Sequence, residues 1–209
     1  MNATATREAL RAAADLAALD DAEFGRRLLA GTPTNEHRDA DLLRRWATEA
    51  EAFGAQLAAA RSGPRREPGA GSTVTELTGG LDPDVLLLAR YRSRPAPVIE
   101  LYTDAVERAE ELTGLLGWRE WFPAGSVRRV ALAHEDAHRL LHEGTAKREL
   151  RRRLGHTVLR LGRHRWYGHV AGADELAAHG YARAVCGLGR SPLLLTAALA
   201  RAARPGRES

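Results

Sequence analysis

The chain has 209 residues, 44% of them hydrophobic and 28% charged, with a formal net charge of +4. This composition is typical of one folded domain, with or without an added arm, and excludes a disordered chain. The longest apolar runs, "DVLLLA" and "SPLLLTAALA", are too short to span a bilayer, and the N-terminus lacks the pattern of a signal peptide. From these short runs we expect no membrane partner. Because the single cysteine, Cys186, excludes an internal disulfide, we expect a cytoplasmic protein.

Residues 1–61 are predicted to form an N-terminal helical arm. A helix that starts near Asn35 places five apolar residues on one side at a 3.6-residue period. These residues are Leu42, Trp46, Ala50, Phe53 and Leu57. The stripe needs a surface to pack on, either the rest of the chain or a second copy, so a homodimer through the N-terminal helices is one of two predicted arrangements.

A stretch rich in proline, glycine and charge follows, which predicts a linker or loop over residues 62–75. The main domain is predicted over residues 76–209. Within it, "DVLLLARYR" and "APVIELYTD" are β-prone runs bounded by proline or aspartate, which predicts two strands of a small sheet. Helices are predicted from Asp104, from Ser126 to Gly144, from Asp174 to Gly187 and from Ser191, with "LGRHRWYGHVAGA" as a loop. The expected fold class is therefore α+β and mostly helical.

The densest basic run is "KRELRRRLGH", at Lys147–His156. Such a run can contact nucleic acid. Because no aromatic-interleaved pattern and no DNA-reading motif accompanies it, we interpret it as a solvated helix face and expect no nucleic-acid partner.

The segment "VALAHEDAHRLLHE" carries the strongest chemical pattern. His134 and His138 are four residues apart and therefore lie on one side of a helix, in line with its apolar residues. A buried polar group without a partner costs about 1–3 kcal/mol, and a shared zinc ion would satisfy both rings. Glu135, rotated by roughly 100°, is placed to take a proton from a water at the open metal position. These are the roles of an HExxH motif; the alternative is two surface histidines on a polar face.

A hydrolytic zinc site has three protein ligands, and Glu175 is the predicted third ligand. It begins a helix in line with Ala178, Ala182 and Val185, and these small residues allow close approach to another helix. His179 lies one turn later and is either an alternative ligand or a partner that hydrogen-bonds a ligand. The alternative for both is an ordinary helix N-terminus, where acidic residues favour the dipole.

"HEDAHRLLH" followed by "ELAAHGYARAVCGL" resembles the ImmA/IrrE-type metallopeptidase family, within the gluzincin group of HExxH zincins. The resemblance covers roughly residues 85–190. It implies a zincin-like domain that binds Zn²⁺ through His134, His138 and Glu175, with Glu135 as the base. The residues that match the second helix of the family are Glu175, Ala178, Tyr181 and Ala182. The chain departs from the family pattern at two positions, Asp136 and Arg139.

Peptide hydrolysis also needs a donor for the developing oxyanion. The loop before Glu175 offers His164, Tyr167 and His169, and Tyr181 is a further candidate. We predict Tyr167 and His169 as the catalytic residues, with a polar surface loop as the alternative. His142 is interpreted as a helix-end residue that favours the negative end of the dipole.

We therefore predict a zinc-dependent peptidase that hydrolyses a peptide bond in a protein or peptide partner. The alternative is a non-catalytic zinc-binding regulatory or interaction protein of the same fold, which the helical arm favours. A carboxylate-bridged di-iron site is a third hypothesis, because "EDAH" is also Glu-x-x-His. That site needs two such motifs, and the chain has one.

Overall fold

Helices dominate the computed structural model, which describes residues 11–60, 67–82, 86–142 and 145–203. The fold is α+β and mostly helical, as predicted. The helices are α1 (Asp21–Ala30), α2 (Ala40–Ala59), α3 (Thr103–Leu115), α4 (Ser126–His142), α5 (Ala146–Leu154), α6 (Ala173–Cys186) and α7 (Pro192–Ala203), with 3₁₀ turns at Pro33–Asn35 and Trp118–Glu120. The strands are β1 (Thr73–Leu77), β2 (Ala89–Arg92), β3 (Val98–Tyr102), β4 (Thr157–Leu161) and β5 (His164–Tyr167). Residues 11–16 are also helical.

Three strands form a mixed sheet in the order β1-β3-β2. β1 runs parallel to the central strand β3, and β2 runs antiparallel to it, so β2 is an edge strand. Strands β2 and β3 fall within the two runs predicted as strands. β1 begins at Thr73, inside the predicted linker, because its β-branched residues find a pairing partner in β3. Residues 62–66 of the predicted linker lie outside the described residues.

A separate two-stranded hairpin joins β4 and β5. The prediction of a loop is wrong for Leu161, which ends β4, and for residues 164–167, which pair antiparallel with β4. The turn between the strands contains Gly162 at a φ of +59°, a conformation that favours glycine. The sequence signal was weak because polar and basic residues interrupt the alternation expected of a strand.

The predicted arm is packed on the rest of the same chain. Trp46, Ala50 and Phe53 of the α2 stripe are buried, and α2 packs mainly on α6. The rest of the chain therefore supplies the surface that the stripe needs. A homodimer stays a prediction.

One hydrophobic core runs through the molecule, and α4 lies within it between α6 and the sheet. The buried face of α4 includes Val127, Val130, Ala133 and Leu141. In the described ranges, no helix combines the length and the apolar character needed to cross a membrane.

Candidate metal centre

Helix α4 begins at Ser126, as predicted. The backbone N–H of Val127 donates to Glu110 Oε1 of α3 at 2.9 Å, which satisfies one of the free donors of the first turn. The apolar face then carries the helix into the core and places His134 and His138 one turn apart, both partly buried. The predicted end at Gly144 lies outside the described residues.

Helix α6 brings Glu175 to the two histidines. It starts after Gly172, which has a φ of +86°, and its first turn is held by an ion pair of 2.7 Å between Lys147 Nζ and Asp174 Oδ2. Its packing against α2 is backbone against backbone. A Cβ built on Gly180 would lie 2.1 Å from the carbonyl oxygen of Glu51. Only glycine at position 180 permits this approach, which fixes where α6 lies.

Three ligand atoms converge between α4 and α6. His134 Nε2 lies 3.0 Å from His138 Nε2 and 3.1 Å from Glu175 Oε1, and His138 Nε2 lies 3.2 Å from Glu175 Oε2. Tetrahedral ligands at about 2.0–2.1 Å from zinc lie about 3.3–3.4 Å from one another, so the observed spacing is close to that of a metal site. These three residues could hold a metal ion.

Hydrogen bonding within the cluster cannot satisfy all three contacts. If both Nε2 atoms of His134 and His138 donate to Glu175, the contact between the two nitrogens has no acceptor. If one nitrogen accepts from the other, it has no proton left for the carboxylate. At most two of the three contacts are therefore hydrogen bonds, whereas a cation would be attractive to all three groups. The donor set fits a bound metal ion better than it fits a proton network.

The electrostatics of the cluster favour a cation. Burial of His134 lowers the pKa of its ring and so favours the neutral form. Burial acts against ionisation of Glu175, but the charges and hydrogen bonds of the surrounding histidines, His134 first, hold the pKa of this carboxyl well below its usual range. Burial also disfavours the charged form of His138, but the hydrogen bond and the charge of Glu175 outweigh it and raise the pKa of His138. The cluster therefore offers a carboxylate and a ring whose neutral form is favoured, which are metal-binding forms, and a metal ion would displace the proton that the raised pKa of His138 favours.

His179 lies behind Glu175. Its Nε2 is 3.3 Å from Glu175 Oε1, and its ring centroid is 4.5 Å from that of His134. The side chain is buried and its Nδ1 has no hydrogen-bond partner. Donation from Nε2 to the carboxylate would orient Glu175, which is the arrangement predicted for a residue that supports a ligand.

Glu135 is buried and faces the sheet. Its Oε2 accepts a hydrogen bond of 2.8 Å from the backbone N–H of Tyr91 in β2. This contact joins positions that are 44 residues apart, and the sequence gives no signal for it. The edge strand β2 thus holds the carboxylate that was predicted as the general base.

A cavity of about 510 Å³ contains the cluster. Glu135 and His179 line it together with His134, His138 and Glu175, so the structure brings these five residues together. Most of its other walls are apolar. They include Leu86, Leu87, Leu88, Val130, Leu193 and Leu195. The contribution of α7 to the cavity was not predicted, although the apolar run "SPLLLT" is a signal for a buried helix start.

Tyr167 and His169, which were predicted as catalytic residues, lie outside the cavity. Tyr167 is half-buried at the end of β5, and His169 is exposed just after it. Neither lines the cavity. His142, which was interpreted as a helix-end residue, is exposed and lies at the cavity wall. The structure therefore separates Tyr167 and His169 from the cluster, because the hairpin directs this part of the chain to another surface.

Asp136 has a structural contact. Its Oδ2 accepts a hydrogen bond of 2.8 Å from the backbone N–H of Gly69, and Arg139 Nη2 lies 3.8 Å from Oδ1. Gly69 has a φ of +83° and precedes β1. The carboxylate therefore anchors the turn that leads into the sheet.

Comparisons with known proteins give no match: no family model, no curated protein and no solved structure matches this chain.

Proposed function

We propose that the protein is a zinc-dependent peptidase that hydrolyses a peptide bond in a protein or peptide partner. The observation that carries this proposal is the convergence of His134, His138 and Glu175 in one cavity with the buried carboxylate of Glu135. Two imidazoles and one carboxylate leave one position of a tetrahedral zinc open, as hydrolysis requires.

We propose zinc over iron because the buried carboxylate of Glu135 lines the same cavity but is not one of the three ligands, as expected of the general base of a zinc hydrolase. Two histidines and one carboxylate also suit a mononuclear iron(II) site, so metal identity needs a measurement. A di-iron site needs further bridging carboxylates. The described residues contain only one group of three ligands.

When bound, zinc acidifies a water molecule and polarises a carbonyl oxygen. The role of Glu135 is to accept a proton from that water and return it to the leaving amine. The hydrogen bond from the Tyr91 N–H holds one oxygen of this carboxylate. The role of His179 is to orient Glu175 through the contact at 3.3 Å.

A peptide is the proposed substrate because an edge strand borders the cavity. Ala89, Arg90 and Tyr91 of β2 line the cavity, and the N–H of Tyr91 points towards Glu135 rather than into the sheet. An extended peptide can add to such an edge through main-chain hydrogen bonds. The leucine-rich walls then offer space for an apolar side chain next to the reacting bond.

Metal analysis of the purified protein is the first test. We expect about one zinc per chain in the wild type and in Glu135→Gln, and loss of zinc in His134→Ala. The exposed His37 provides a matched control, because His37→Ala should retain the metal. Iron in place of zinc would contradict the proposal.

Hydrolysis is tested on a library of quenched fluorescent peptides. The wild type should cleave a subset of them, and Glu135→Gln should lose at least about 100-fold in rate, since general-base catalysis contributes about 10²–10⁴. Glu36→Gln, an exposed exchange of the same kind, should leave the rate unchanged.

The second candidate is a non-catalytic metal-binding regulatory protein of the same fold. The observation that favours it is the position of Tyr167 and His169, which leaves the cavity without the two predicted oxyanion donors. In that case wild type and Glu135→Gln bind the same zinc and show the same absence of cleavage.

A further inference from the structure

The β4–β5 hairpin exposes apolar side chains that the described part of the chain does not cover. Leu159, Leu161 and Trp166 are 57%, 69% and 49% exposed, and Val158 is exposed as well. All five residues of β4 are exposed. An isolated two-stranded hairpin is marginally stable in water, so exposed apolar residues on it indicate a contact with something else.

The strand register places three of these side chains on one face. Leu159 lies opposite Trp166, and Leu161 lies opposite His164. Directly opposed residues share a face, and so do residues two apart along a strand. Leu159, Leu161 and Trp166 therefore form one apolar strip, with His164 at its end.

Arginines without acidic partners in the described ranges lie on the opposite face of the hairpin and in its turn. Arg160 lies directly opposite Arg165, and Arg163 is in the turn. Like charges in directly opposed positions destabilise a hairpin. In the described ranges none of these three arginines forms an ion pair, whereas Arg153 of α5 pairs with Glu49 at 2.7 Å. The hairpin thus carries cationic charge that no acidic side chain of the described segments neutralises.

The charge of the whole chain is concentrated in this region. Residues 145–169 contain eight of the 31 lysines and arginines and one of the 27 acidic residues. The segment therefore has a formal charge of +7, and the remaining chain has −3. An anionic partner fits this asymmetry.

We propose that the β4–β5 hairpin docks on the surface of an anionic phospholipid bilayer. Leucine and tryptophan side chains of the apolar face enter the boundary between headgroups and acyl chains, and Arg163 of the turn binds lipid phosphates. The long side chains of Arg160 and Arg165 extend past the edges of the two-stranded hairpin towards the same phosphates. Nucleic acid would neutralise the arginines but would leave Leu159 and Leu161 in water. A stable protein interface buries about 800 Å² per partner, and three partly exposed side chains offer far less apolar area. A bilayer uses both the apolar and the cationic groups.

This docking does not require a membrane-spanning helix. The expectation of no membrane partner came from the length of the apolar runs, which tests spanning. Binding at the membrane surface depends instead on which apolar side chains the folded hairpin exposes, and the length of an apolar run in the sequence does not report this.

Vesicle sedimentation tests the proposal with the full chain. One set of vesicles contains equal parts of phosphatidylglycerol and phosphatidylcholine, and the other contains phosphatidylcholine alone. The wild type should bind the anionic vesicles at physiological salt and bind the neutral vesicles at least about tenfold more weakly. Leu161→Ser should reduce binding to anionic vesicles about tenfold through lost apolar insertion, and Arg163→Gln about fivefold.

Two matched exchanges control for general surface effects. Leu115 is 61% exposed at the end of α3, and Arg45 is exposed on α2. Leu115→Ser and Arg45→Gln should bind vesicles like the wild type. Brominated acyl chains should quench part of the tryptophan fluorescence, and Trp166→Phe should lose that quenching.

Four results would overturn the proposal. Equal binding to neutral and anionic vesicles is one, and an equal effect of the control exchanges is another. Unchanged binding by Leu161→Ser would indicate electrostatic adsorption only. Absence of vesicle binding also overturns it, and salt-dependent binding to a DNA duplex in that case would assign the arginines to nucleic acid.

Discussion

Replacing Gly180 with alanine tests whether backbone contact between α2 and α6 sets the position of Glu175. A Cβ at position 180 would lie 2.1 Å from the Glu51 carbonyl oxygen, and a Cβ at position 54 would lie 1.9 Å from that of Ala177. Cβ atoms essentially never approach another heavy atom closer than 3.0 Å, so the two helices must separate by at least 0.9 Å in Gly180→Ala. The obstacle is backbone, which cannot turn away as a side chain can.

The expected loss of stability follows from two opposed effects. Overpacking costs about 1–3 kcal/mol, and the rigid obstacle puts this site at the upper end. Alanine gains about 1 kcal/mol over glycine within a helix. The net loss is therefore about 2 kcal/mol, which lowers the Tm of a chain of this size by about 4–8 °C.

The same separation should weaken metal binding. Metal–ligand distances tolerate changes of about 0.2 Å, and Glu175 is carried by the displaced helix. We expect zinc affinity to fall at least about tenfold, measured by competition with a chromogenic chelator. Thermal unfolding of the metal-free protein measures the stability change.

Gly31→Ala is the matched control. Gly31 has a φ of −73°, and a Cβ there would lie 3.4 Å from its nearest neighbour, Arg27 O, which is ordinary contact. Its Tm and zinc affinity should stay close to wild type. If Gly180→Ala has the Tm and the zinc affinity of the wild type, the backbone contact between α2 and α6 does not position Glu175.

Three further predictions follow from other contacts. Asp136→Ala removes the acceptor of the buried Gly69 N–H and should lower the free energy of unfolding in urea by about 1–3 kcal/mol with unchanged zinc content; zinc loss would contradict a purely structural role. Burial raises the pKa of Glu51 to about 7, from an ordinary value of 4.5, so its stabilising effect is full below 4.5 and is lost as the pH rises through 7. Relative to Glu51→Gln, the free energy of unfolding of the wild type should fall by up to about 3 kcal/mol between about pH 5 and about pH 8. Parallel pH profiles of the free energy of unfolding for the two proteins would refute this. A chelator should lower the Tm of the zinc-loaded wild type and leave that of His134→Ala unchanged, because bound metal stabilises only the folded state.

The local part of the candidate site could be predicted from the sequence. The one-turn spacing puts His134 and His138 on one side of α4, and the apolar stripe of that helix shows that this side faces inward. The same reasoning places Glu175 on the inward side of α6. The meeting of these helices depends on contacts between distant positions, above all Gly54 and Gly180 against backbone, which no local pattern reports.

Strand pairing explains most of the elements that could not be predicted from the sequence. β1 is stable because β3 offers it a parallel neighbour, and β5 is a strand because β4 pairs with it. Neither β1 nor β5 has the alternation of apolar and polar residues that would predict a strand. Tyr167 and His169 lie outside the cavity for the same reason. They were expected in a loop beside the metal ligands, but pairing of β5 with β4 places this segment on another surface.

Glu135 and Asp136 show how neighbours in sequence acquire separate tasks. One residue along a helix is a rotation of about 100°, so the two carboxylates leave α4 in different directions. Glu135 reaches the Tyr91 N–H at the cavity, and Asp136 reaches the Gly69 N–H before β1. Asp136 does not line the cavity. The aspartate at position 136 is therefore accounted for by the turn at Gly69, and its carboxylate does not compete with that of Glu135 for the cavity.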